Sequence, residues 1–136
     1  MATQIFVNLP VKNLDKSIEF FTALGFSFNA QFTDEKATCM VVSDTIFVML
    51  LTEPFFAGFT KKAVADATKT TEVILCLSAE SRDAVDDMVK KALAAGGTAP
   101  IDAQDHGWMY QHGFADIDGH QWEIAYMDAS ALPAQP

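Results

Sequence analysis

Basic residues are scarce in this chain: Lys and Arg together number 9 against 18 Asp and Glu, for a formal charge of −9. That balance argues against nucleic acid or an anionic membrane surface as a partner, because both call for an excess of cations. Long apolar runs are lacking as well. The longest, Ile46 to Leu51, is far too short to span a bilayer. The opening Met-Ala-Thr-Gln leads straight into a strand pattern, with no basic region and apolar stretch, so no signal peptide is expected. Cysteine is limited to Cys39 and Cys76, in neither a CxxC nor a zinc-type spacing. Both fall in expected strands and read as reduced core thiols of a cytoplasmic protein. No nucleophile triad, phosphate-cradling glycine loop or dinucleotide fingerprint is found. Gly96-Gly97 reads as a helix stop.

What is present is repetition. The 136 residues are half hydrophobic and include eleven Phe, enough for one domain with a proper core. Residues 4–52 form a first module. Gln4–Pro10 alternates as a strand, and Asn13 is a plausible N-cap. Leu14, Ile18, Phe21 and Leu24 then recur at helical spacing, and Gly25 ends the helix. Phe26–Phe32 and Ala37–Val42 read as a hairpin, and Thr45–Thr52 as a further strand. Residues 71–127 repeat the plan. Glu72–Leu77 is the strand and Ser81 the N-cap. Ala84, Val85, Met88, Val89, Ala92 and Leu93 form the helix face. Thr98–Ala103 and Gly107–Asp116 are strands. Ile117-Asp118-Gly119 is a hairpin loop, and His120–Met127 closes the module. Residues 53–70 form a linker or lid carrying Phe55, Phe56 and Phe59 and an amphipathic piece with Val64 and Ala67. Its three Phe suit either a lid or a dimer interface. The tail, residues 128–136, is expected to fray.

The expected fold is therefore α+β: two βαβββ modules, each sheet covered on one face by its helix. The other faces would form a curved mixed sheet around a cup-shaped cavity.

Three segments resemble the vicinal oxygen chelate superfamily, the group of glyoxalase I, the bleomycin- and fosfomycin-resistance proteins and the extradiol dioxygenases. They are Leu9 to Phe21 (LPVKNLDKSIEFF), Leu24-Gly-Phe26, and the closing Asp116-Ile-Asp-Gly-His120-Gln-Trp-Glu123. The resemblance implies a cup in each half, a divalent metal at its floor and often a homodimer. Metal-dependent members take ligands from the first and last strands of each half. Carried over, those positions fall at Phe6, at Met49 or Leu51, at Glu72 and at Glu123. Phe and Met do not suit a hard divalent ion, so Glu72 and Glu123 are the only metal candidates, in a degenerate site. The expectation is no cofactor, with a divalent metal as the alternative. The relatives' cavity Tyr, ten residues before the final Glu, is replaced by Gly113.

The remaining candidates follow from alternation. Glu123 is the candidate acid/base. Phe6, Asn8, Phe47, Met49, Glu72, Met109, Gln111 and Gln121 are candidate binding residues, along with Ile74 and Cys76 on the same face. If Asp116 pairs with His120, then Gly113 faces Glu123 and His112 faces Ile124. That pairing sends His112 to the helix-covered side unless a bulge intervenes, and His112 is kept as a binding candidate on that account. His120 belongs to the turn, and His106 to a solvated loop. The pocket is mostly apolar, without Lys or Arg, and suits a small organic molecule better than an anion. Two functions stay open. One is a glyoxalase- or dioxygenase-like enzyme acting on a small carbonyl or electrophilic compound. The other is a metal-free binding or sequestering protein similar to bleomycin-resistance members, as a homodimer.

Overall fold

The computed structural model describes residues 2–131, and the chain divides after Ala65 into two units. The boundary lies inside the expected linker. Each unit carries one four-stranded mixed sheet, so the strands form two open mixed sheets, in keeping with the α+β, two-module plan.

In the first unit, β1 (Ile5–Val11) leads into α1 (Leu14–Ala23). Asn13 caps α1 by accepting from the Lys16 amide at 3.1 Å, which satisfies a first-turn donor. Leu14, Ser17, Phe20, Phe21 and Leu24 are buried, and Ile18, expected in that face, is only half-buried. Ser17 tolerates full burial because its hydroxyl donates back to the Asn13 carbonyl at 3.1 Å. The chain turns at Gly25, whose φ of 102° suits a residue without Cβ. The expected first arm of the hairpin is short: β2 covers only Ser27–Asn29, and Ala30–Phe32 form a 3-10 turn. Asn29 starts that turn by accepting from the Gln31 amide at 3.0 Å, which competes with continued pairing. β3 (Ala37–Val41) and β4 (Ile46–Thr52) complete the sheet in the order β1-β4-β3-β2, with β1 and β4 parallel.

The linker contains an element that the apolar spacing did not disclose, the short helix α2 (Glu53–Ala57), with Pro54 in its first turn. Val64 lies in irregular chain and Ala67 in a turn, neither in a helix. Phe55 and Phe59 meet edge-to-face at 5.1 Å, and Phe59 is 71% exposed.

In the second unit, β5 spans Ile74–Ser78, two residues later than expected, and Ser81 caps α3 (Arg82–Ala94) by accepting from the Ala84 amide. Val85, Val89 and Ala92 are buried, whereas Leu93, assigned to that face by spacing, is 48% exposed. Thr98–Ala103 is not a strand. Thr98 makes a single bridge to Ala115, and pairing resumes only in β6 (Gln104–Asp105). Pro100 has no amide to give to a ladder, so the chain departs from the edge there. β7 (Met109–Ala115) and β8 (Gln121–Met127) complete the order β5-β8-β7-β6. Of the tail expected to fray, Ala129–Ala131 form a 3-10 turn, and residues 132–136 lie outside the described residues.

The β7–β8 turn is held by one buried carboxylate. Asp116 Oδ1 accepts from the amides of Asp118 (2.9 Å) and His120 (3.0 Å), and Oδ2 accepts from Trp122 Nε1 at 3.0 Å. Trp122 is 1% exposed and stacks on Phe114. Burial pushes the Asp116 pKa up, while the His120 charge and the Trp122 hydrogen bond pull against it. Gly119, at φ 89°, closes the turn so tightly that a Cβ there would meet the Ala67 carbonyl oxygen at 2.8 Å. Asp116→Asn would present an amide to the indole N–H, and Trp122→Phe would remove that N–H. Each change should cost about 1–3 kcal/mol in urea unfolding. The double variant should cost less than the sum; strict additivity would show that the bond does not matter.

Candidate functional site

The face of the first sheet opposite α1 is apolar. Strand pairing sets Phe6 beside Phe47, Asn8 beside Met49, and Met49 beside Cys39. The Phe6 and Phe47 rings stack at 4.9 Å with 13° between planes, and Phe6 is 49% exposed. The Asn8 amide donates to the Phe6 carbonyl at 3.2 Å, within its own strand. Its paired strand residues offer an aromatic platform, the amides of Asn8 and Asn29, and no ionisable group except the buried Cys39 thiol.

The corresponding face of the second sheet is more polar. β8 contributes Gln121, Glu123, Ala125 and Met127. β7 sets Ala115, Gly113, Gln111 and Met109 against them in that order, and β5 adds Ile74 beside Gln121 and Cys76 beside Glu123. His112 pairs with Ile124, as expected without a bulge, so alternation puts it with Tyr110 and Phe114 on the α3 side. The Tyr110 hydroxyl confirms that side by donating to Asp86 of α3 at 2.6 Å.

The equivalence of the two modules can be read from their helix caps. Phe6 stands seven residues before the N-cap Asn13, and Ile74 stands seven before the N-cap Ser81. Pairing then makes Met49, opposite Asn8, the counterpart of Glu123, opposite Cys76. This corrects the placing of Glu72. Glu72 lies two residues ahead of β5 and is exposed, because β8 begins only at Gln121 and leaves it no strand to pair with. The two carboxylates carried over as metal ligands therefore do not share a ladder.

The positions equivalent to those the resemblance implied are Phe6 and Met49 in the first unit and Ile74 and Glu123 in the second, and of these only Glu123 carries a hard oxygen donor. His106 lies in an exposed loop, His120 in the turn and His112 on the opposite face from Glu123. Among the described residues no three His, Cys, Asp or Glu side chains come together in a way that could hold a metal. A catalytic ion takes about three protein ligands, so this residue set does not fit one.

Glu123 does border a hollow of about 60 Å³, room for a few water-sized groups. It lies between the β7–β8 face and the segment from Pro100 to Gln104. Gln104, Gln111, Gln121, Gly113 and Asp102 share its wall, and His112 borders it from its strand position. Sequence reading missed this hollow because it continued 98–103 as a strand; Pro100 was the available signal. Gly113 keeps the hollow open. A Cβ there would lie 2.6 Å from the Trp122 carbonyl oxygen and 3.6 Å from the Glu123 Cγ, so the relatives' Tyr has no place at this strand separation.

Against this geometry, a family model described as "Bleomycin resistance protein-like N-terminal" matches residues 3–43. Among solved structures, the hypothetical protein SA1046 from S. aureus is 27% identical, with 93% of this chain and 94% of that one covered and a TM-score of 0.79. A glyoxalase/bleomycin resistance protein/dioxygenase family enzyme from Burkholderia phytofirmans PsJN is 16% identical, with 93% and 99% covered and a TM-score of 0.76. A glyoxalase-related enzyme from Fulvimarina pelagi is 19% identical, with 93% and 88% covered and a TM-score of 0.78. No curated protein matches the chain. The protein has the fold of the vicinal oxygen chelate superfamily, as its motifs suggested, and its N-terminal segment is similar to the bleomycin-resistance branch.

Cys76 reports on Glu123. Burial, and then the Glu123 charge, push its thiol pKa above the ordinary value; burial alone does so for Cys39. Cys76 is exposed and Cys39 buried, so iodoacetamide at pH 8 should modify Cys76 first. Glu123→Gln should speed that modification a few-fold by lowering the Cys76 pKa. An unchanged rate would mean that the two side chains do not sense each other.

Proposed function

We propose that this protein binds a small organic molecule without a metal ion, in the manner of a sequestering rather than a metal-dependent catalytic member of its superfamily. One observation carries the reading: the equivalent strand positions are apolar in the first unit, at Phe6 and Met49, and in the second pair Ile74 with a single carboxylate, Glu123. Apolar side chains at those positions add contact area for a ligand where ligating ones would hold an ion. The match of residues 3–43 to a bleomycin resistance protein-like segment supports the same choice. Exposed apolar residues on both sheets, Phe6 (49%) and Ile74 (47%) among them, support a homodimer that covers part of them. The free thiols of Cys39 and Cys76 suit a cytoplasmic setting, and no helix among the described residues is long and apolar enough to cross a membrane.

A second reading draws on the surviving carboxylate. Glu123, beside Cys76 and the apolar Ile74 and Ala125, could serve as a general base on a small carbon acid. Its ionisable neighbour on that face is the Cys76 thiol, held above its ordinary pKa by burial and by the Glu123 charge.

Protein purified without chelator should contain well under one equivalent of metal. Its melting temperature should rise with aromatic alcohols such as 2-phenylethanol and stay unchanged with Ni²⁺, Zn²⁺ or Mn²⁺. Stoichiometric metal that disappears in Glu123→Gln would refute the binding reading.

A further inference from the structure

We propose that the hollow at Glu123 is a subsite for an organic cation, and that the ligand carries a primary ammonium or amidinium head. This deepens the small-molecule reading and rests on it. The Glu123 side chain forms no hydrogen bond or ion pair among the described residues. It is half-buried at the wall of the hollow, and no Lys or Arg lines that wall. Asp102 adds a second negative charge on the loop side.

The neutral groups around the carboxylate are amides. Gln111 donates its Nε2 to the Gln104 Oε1 at 3.3 Å, which leaves the Gln111 carbonyl oxygen free to accept. Gln121 follows on the same face, two residues before Glu123. A carboxylate flanked by amide oxygens matches a head with two or three N–H donors, each able to reach a separate acceptor. An anionic head would meet two carboxylates without a cation. A neutral head can donate a hydrogen bond to the carboxylate but leaves its charge uncompensated. A divalent ion would find only Glu123 and a loop aspartate, too few hard donors for tight binding.

Gly113 determines which heads can enter. Any side chain there would begin within 3.6 Å of the Glu123 Cγ, so its absence opens the approach to the carboxylate. The volume of about 60 Å³ admits a small head group and leaves the rest of the ligand on the sheet face beside Ile74 and Ala125.

The test compares three probes of one shape by NMR titration of the full chain: 3-phenylpropylamine, 3-phenylpropanol and 4-phenylbutyrate. A charge-assisted hydrogen bond should give the amine roughly tenfold tighter binding than the alcohol, and the carboxylate the weakest. Glu123→Gln, an isosteric change, should abolish the amine's advantage over the alcohol. Asp102→Asn should keep most of the advantage. If amine and alcohol bind equally in the parent chain, the cation subsite is refuted while the small-molecule reading stands. If no probe binds and Mn²⁺ or Zn²⁺ binds in a Glu123-dependent way, both are refuted.

Discussion

The Asp116 carboxylate fixes the part of the structure on which everything at the candidate site depends. It takes two backbone amides of its own turn and the indole N–H of Trp122, and so ties the β7–β8 turn to the core beneath it. With the turn closed, the pairing of β7 and β8 has one register, which sets Gly113 opposite Glu123. A slip of one residue would send Glu123 to the α3 side and bring Trp122 out, exchanging a satisfied buried indole for an exposed one and burying a charge. The register is therefore enforced by the cost of its alternatives.

The two modules share a plan down to the spacing between helix cap and strand, yet they differ in chemistry. In the first unit the position paired with Asn8 is Met49, and in the second the position paired with Cys76 is Glu123. The first sheet face keeps stacked Phe6 and Phe47 where the second has Ile74 and Gln121. Duplication preserves what the fold needs, namely cap, helix face and strand register. The side chains opposite the helix are free to change because they carry no part of that core. What remains on the second face is one carboxylate, three glutamines and an opening made by a missing side chain, a set suited to hydrogen bonding rather than to ligating an ion.

Much of this was legible in the residues. The caps Asn13 and Ser81, the alternation of the strands and the turn at Asp116–His120 are local signals, and each forms as expected. The pairing of Gly113 with Glu123 followed from counting back around the turn. Signals that depend on non-local geometry were lost. Glu72 sits at the right distance from a motif, but β8 is too short to give it a partner. Leu93 has helical spacing but lies beyond the edge of the covered face, and Ser17 is buried in a place where spacing favoured Ile18. The hollow depends on how far the 100–104 segment leaves the β7 edge, a distance that no periodicity encodes.

On the proposed reading, Glu123 stands without companion ligands among the described residues and the chain binds no metal there. Anomalous diffraction from crystals grown with millimolar Zn²⁺ or Mn²⁺ tests it most directly. The account predicts no ordered anomalous peak at the Glu123 carboxylate. A peak at about 2.0–2.2 Å from that carboxylate, with further protein ligands completing its shell, would contradict it.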